Sequence, residues 1–149
     1  MQDRSRGFED FMRERLDMLV EFAEDLSFDV PTSIVSDPEA ALLILDPFLV
    51  GQTVGEEDFA WIVSRLAAFV GELLICRLGG FWLLCTQTES RFHGRFVVDV
   101  RVPGDQQDVL VDPFEVAATF VLQPPPRSLV DHLAGVMLEI TSAPPTPNA

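Results

Sequence analysis

The chain has 149 residues, 24 of them acidic and 10 basic, for a formal net charge of −14. Every basic residue is an arginine; lysine and tyrosine are absent, and Asn148 is the only asparagine. This composition excludes lysine chemistry (Schiff base, phosphate-loop lysine, lysine general base) and provides no basic footprint for nucleic acid.

Residues 7–26 place Phe8, Phe11, Met12, Leu16, Leu19, Phe22 and Leu26 at steps of three and four, the stripe of an amphipathic helix. Its other face carries Glu9, Asp10, Arg13, Glu14, Asp17, Glu21 and Asp25. The stretch 27–36 contains Pro31 and is expected as a loop or short extended piece. Asp37-Pro38-Glu39 starts a helix over 38–45, because Asp37 caps free amides and Pro38 suits the first turn. Asp46-Pro47 is expected to stop it, since the residue before proline disfavours the helical region.

Thr53 and Glu56 form a T-x-x-E capping box, and Phe59, Ile62, Val63, Leu66, Phe69, Val70 and Leu73 then recur at helical spacing over 54–78. Gly79 or Gly80 ends this helix, and Arg77 suits its negative end. The period then switches. Strands are expected at about 81–88, 95–102 and 108–111, the second alternating Phe96, Val98, Val100 and Val102 against Val97, Asp99 and Arg101. Pro103-Gly104-Asp105 is turn chemistry, so the three strands form an antiparallel meander. Asp112-Pro113 starts a helix over 113–122, Pro124–Pro126 breaks the chain, and a last helix covers 128–140. The expected fold is one α+β domain over 1–142, with four to five helices packed on the meander and a disordered proline-rich tail at 143–149.

Catalytic and metal signatures are sparse. His93 and His132 stand apart, with no second His or Cys at ligand spacing, so no metal site is expected. Glu56, Glu57 and Asp58 fall where a helix dipole favours acids, which reads as capping rather than catalysis. Gly79-Gly80 follows a helix instead of preceding one, the reverse of phosphate-loop logic. Cys76 and Cys85, the only cysteines, are expected as buried thiols in a reducing compartment. The N-terminus is charged, without the apolar core of a secretory signal, and no run of about 18 uncharged apolar residues occurs. A cytoplasmic protein with no membrane contact and no cofactor is expected.

The apolar stretch 69–77 contains Gly71 and Glu72. Gly71 suggests close approach of another backbone, because glycine in a helix costs about 1 kcal/mol against alanine. Glu72 and Arg77, five apart, are expected to bond elements packed on this helix rather than each other. Arg91, Arg95 and Arg101, with His93 beside them, concentrate positive charge near the first hairpin. The charge is uneven: residues 1–60 hold 15 acids and 4 arginines, a net of −11, and residues 61–149 hold 9 acids and 6 arginines, a net of −3.

The segment Gly71-Glu72, Arg77-x-Gly79-Gly80-x-Trp82, then strands, then Asp112-Pro113-Phe114 resembles a loose group of small uncharacterised bacterial α+β proteins, some of them immunity-like. The resemblance covers about residues 65–122 and implies an α+β fold in a bacterial cytosol. The residues it rests on (Gly71, Glu72, Arg77, Gly79, Gly80, Trp82, Asp112, Pro113) imply structure and no catalytic set. The expected function is a non-enzymatic protein-binding module that neutralises or regulates a protein partner, docking through Glu9, Asp10, Glu14, Asp17 and Glu21 or through Arg91, His93 and Arg95. An acidic secretion-chaperone-like or adaptor protein is the alternative, an enzyme the third. The oligomeric state, homodimer included, stays open.

Overall fold

A computed structural model of the chain describes residues 2–102 and 108–142. The turn expected at Pro103-Gly104-Asp105 and the tail at 143–149 lie outside them. Among the described residues, six helices and one sheet follow in the order α1 (Gln2–Asp25), α2 (Ser33–Ser36), α3 (Pro38–Leu49), α4 (Glu56–Leu78), β1 (Gly80–Leu84), β2 (Phe96–Arg101), β3 (Asp108–Val111), α5 (Pro113–Leu122) and α6 (Leu129–Ser142). The sheet is antiparallel in the order β1-β2-β3, an α+β arrangement, with Trp82 opposite Val98 and Val98 opposite Val111. Buried residues from α1 to α6 and from the sheet form one cluster.

Several boundaries differ from the sequence expectation, each for a local reason. Helix α1 begins at Gln2 rather than at residue 7. Tertiary contacts hold its first turns: Arg4 Nε donates to the Gly94 carbonyl at 2.8 Å, and the Phe8 ring meets Phe96 edge-on. Ser33–Ser36 is a short helix instead of an extended piece. Helix α3 runs through Pro47 to Leu49. Pro47 sits on an exposed side with Leu43, Ile44 and Phe48, where solvent can meet the carbonyl that proline leaves without a donor. Asp46 therefore does not end α3. Its carboxylate reaches across to α6, accepting from Leu129 N at 2.6 Å and from the Ser128 hydroxyl at 3.1 Å.

The Thr53–Glu56 capping box does not form. Helix α4 starts at Glu56 behind Gly55, with no side-chain cap, which leaves Thr53 outside the helix. Glu56, Glu57 and Asp58 then complement the free amides of the first turn. The middle of α4 is buried around its whole circumference from Leu66 to Gly71, not along one stripe. It is the central helix, packed against α1, α3, α5, β1 and β2. Its 23 residues are long and apolar enough to cross a membrane by composition, but its most apolar window is 56% buried inside the fold.

Gly79 ends α4 at φ 76°, and Gly80 opens β1 at φ 130°, where a Cβ would lie 2.0 Å from the Asp99 carbonyl oxygen. The pair lets the chain reverse directly onto β2. Strand β1 stops at Leu84, short of the expected 88. Pairing continues only through Cys85 N to the Arg95 carbonyl and Gly94 N to the Cys85 carbonyl, because the polar stretch that follows closes the turn.

Gly71 has a different reason from the one expected. The atoms nearest to it belong to the indole of Trp82 rather than to a backbone. A Cβ at position 71 would lie 1.9 Å from Trp82 Cζ2. Gly71→Ala is expected to destabilise the fold by about 1–3 kcal/mol, the usual range for overpacking. Gly135→Ala, in α6 with open space around it, should instead stabilise by about 0.4–1 kcal/mol. Urea unfolding of the two variants checks the opposite signs.

Candidate functional site

Helix α1 presents two chemically distinct sides. Phe8, Phe11, Leu19 and Phe22 turn inward, while Glu9, Glu14, Asp17 and Glu21 are exposed. Asp10 is half-exposed and pairs with Arg13, whose guanidinium also lies 4.0 Å from Glu14. Arg6 and Arg13 are the basic residues on this acidic side of the helix, and among the described residues only Arg13 of the two lies within 4.0 Å of an acid.

The hairpin arginines are already engaged. Arg91 Nη2 donates to both oxygens of Glu115, at 2.7 and 2.8 Å. Arg95 Nη1 reaches Asp112 at 3.1 Å and Glu115 at 3.0 Å. Asp112 caps α5 by accepting from Phe114 N and Glu115 N, with Pro113 in the first turn. The helix dipole favours acids at this end, and the arginines gather on them. Hydrogen bonds from Arg91, with Arg95 adding, hold the Glu115 carboxyl below its usual range. Arg91 and Arg95 are therefore paired with acids of α5, although their side chains stay 60% and 47% exposed. Arg4 at the start of α1 bonds the Gly94 carbonyl of this hairpin and lies over Phe96. His93 is exposed at the turn.

Glu72 joins three elements. Its Oε2 accepts from Trp82 Nε1 at 2.7 Å and from Arg15 Nε at 3.1 Å. The side chains of Arg15 and Glu72 are 17% and 16% exposed. Arg77 turns the other way and grips Glu39 of α3 with both nitrogens, at 2.7 and 2.8 Å. That hydrogen bonding lowers the Glu39 carboxyl. Around Trp82, the rings of Phe11, Phe96 and Phe114 meet edge-on or tilted, tying α1, β1, β2 and α5 together.

Sequence reasoning missed Arg15, although its place on the apolar stripe, four residues after Phe11 and before Leu19, was the available signal. It also missed a groove where the C-terminal end of α1 meets α3 and the start of α4. Phe22, Leu26, Phe48, Leu49, Trp61 and Ile62 line a hollow of about 320 Å³, with Asp58 at its margin. Phe48 and Trp61 are each 41% exposed. Trp61 touches Phe22 edge-on, and the Arg65 guanidinium lies 4.7 Å from the Trp61 ring centre. The signal was Trp61 itself, an aromatic residue off the buried stripe of α4.

Other chemistry is scattered. Cys85 is buried, but Cys76 is exposed, contrary to expectation, because it lies on the outer side of α4 near its end. His132 is held by Gln123 at Nδ1 and by the Val116 carbonyl at Nε2, both at 3.1 Å. Asp99 has a buried, unpartnered Oδ1 among the described residues. Burial pushes its carboxyl above the usual range, the Asp108 charge adds to this, and Arg101 opposes it. Among the described residues no group of three or more His, Cys, Asp or Glu could hold a metal ion. Comparison with protein-family models, curated proteins and solved structures finds no match to this chain.

Two outcomes are expected. Glu72→Ala leaves Trp82 N–H and Arg15 without their acceptor and should cost about 1–3 kcal/mol in urea unfolding. Glu72→Gln keeps an acceptor for Trp82 and should cost less. Asp99 ionises less readily folded than unfolded, so its contribution is intact at acid pH and is lost as pH rises through its folded value. Asp99→Asn should therefore stabilise the fold at pH 7, and unfolding repeated below the carboxylate range should show that gain disappear.

Proposed function

We propose that this chain is a non-enzymatic protein-binding module of the bacterial cytosol that neutralises or regulates a basic protein partner. The reading is carried by one observation. The exposed acids of α1 (Glu9, Glu14, Asp17, Glu21) are left almost uncompensated, while the arginines of the hairpin are spent on α5. Such a face speeds encounter with a cationic surface and discriminates against anionic ones. The immunity-like resemblance agrees with this role. Arg91 and Arg95 are the weaker part of the docking surface, because an anion there would compete with Glu115 for them. The alternative, an acidic secretion-chaperone-like or adaptor protein, draws support from Leu43, Ile44 and Phe48 exposed along α3.

The test compares capture by the immobilised chain with capture by a Glu9→Gln/Glu14→Gln/Asp17→Asn/Glu21→Gln variant, in host lysate at low and high salt. Basic proteins should be enriched by the native chain at low salt, and the variant should hold them about tenfold less well. Equal, salt-insensitive capture by both would contradict the reading.

A further inference from the structure

We infer that the groove between α1, α3 and α4 is a docking site for a short partner segment in which one bulky apolar side chain is flanked by arginine or lysine. The inference deepens the protein-binding reading and rests on it.

Size speaks first. A hollow of about 320 Å³ is at the small end of ligand pockets, which run roughly 300–1,000 Å³. It has room for one bulky side chain. Its floor is apolar, from Phe22, Leu49 and Ile62, and its walls are the exposed rings of Phe48 and Trp61. Aromatic residues half-open at a hollow are the usual anchors of protein recognition.

Charge decides what flanks the anchor. Glu21, Glu24 and Asp25 close α1 and are exposed, and no basic residue stands in its last turn. Acids at that end face the negative pole of the helix, where they destabilise it, so helix stability does not account for them. They lie on the turn that supplies Phe22 and Leu26 to the groove. Asp58 lines the groove from the α4 side, with Glu57 next to it in the first turn of that helix. Arg65 is stacked on Trp61, with its Nη1 bonded to the Ser64 hydroxyl at 3.0 Å. A basic segment laid across the rim would relieve the repulsion at the end of α1 while its apolar side chain enters the hollow. An acidic segment would meet charge of its own sign on both sides.

The probe is a pair of synthetic hexapeptides with the same Trp-Leu centre, one flanked by arginine and lysine, the other by aspartate and glutamate. Each is titrated into the isotope-labelled full chain. The basic peptide should shift the amide signals of Phe22, Leu26, Trp61 and Ile62, and the acidic peptide should leave them unmoved. Trp61→Ala, at a half-open position, should weaken the basic peptide about tenfold or more while the rest of the spectrum stays in place. Glu24→Lys/Asp25→Lys leaves the apolar floor intact; it should raise Tm and remove the preference for the basic peptide. Equal affinity for both peptides, shifts confined to other surfaces, or self-association that Trp61→Ala abolishes would each overturn the proposal. Trp61→Ala that still captures the basic proteins of the lysate in full would sink the groove alone and leave the α1 reading standing.

Discussion

The contact between Trp82 and Gly71 sets the geometry on which the other elements depend. Position 71 has no side chain, so the indole lies directly on the α4 backbone, and β1 is drawn against the central helix. From there the indole N–H points at Glu72, one residue further along α4. Glu72 then has an oxygen to share with Arg15, which brings in α1. Phe11 completes the joint by meeting Trp82 edge-on at 4.8 Å. One missing Cβ thus fixes the seat of a helix far away in sequence. The half-buried carboxylate is held by two donors, which offsets the desolvation that a lone charge would suffer there.

Seating α1 in this way determines what faces solvent. With Phe8, Phe11, Arg15, Leu19 and Phe22 turned inward, the acids at positions 9, 14, 17 and 21 have no direction left but outward. The end of the same helix then delivers Phe22 and Leu26 to the groove beside Trp61. The acidic face and one side of the groove are consecutive stretches of one helix. The acids of α5 behave differently. Asp112 and Glu115 lie at a helix start, where the dipole favours them, and they take up Arg91 and Arg95. At the start of α5 the carboxylates are paired within the fold, and at the end of α1 they are left to solvent.

Much of the architecture was legible in the chain because periodicity survives packing. The 3.6-residue stripe of α1, the switch to alternation at Phe96–Val102 and the Asp-Pro helix starts all found their elements. What escaped was set by partners remote in sequence. Pro47 read as a stop, yet it lies on an open side of α3 where a lost hydrogen bond matters little. Asp46 read as the end of that helix, yet it caps α6, 83 residues away from Leu129. Thr53 and Glu56 matched a capping pattern, but the helix starts later. Of the candidate docking residues, the α1 acids could be read from the helical wheel. The pairing of Arg91 and Arg95 could not, because nothing local shows that α5 returns to the hairpin. The groove was hidden for the same reason: its walls come from three helices, and only Trp61, out of step with the buried stripe, hinted at it.

The joint at Trp82 is tested most directly by a double-mutant cycle in urea unfolding that combines Gly71→Ala with Trp82→Leu. If the indole occupies the space above Gly71, the added methyl harms the native background and becomes neutral or favourable once the ring is gone. The coupling should then be on the order of 0.5–3 kcal/mol. If the two effects simply add, Trp82 does not rest on Gly71, and the account of how α1 and its acidic face are positioned is contradicted.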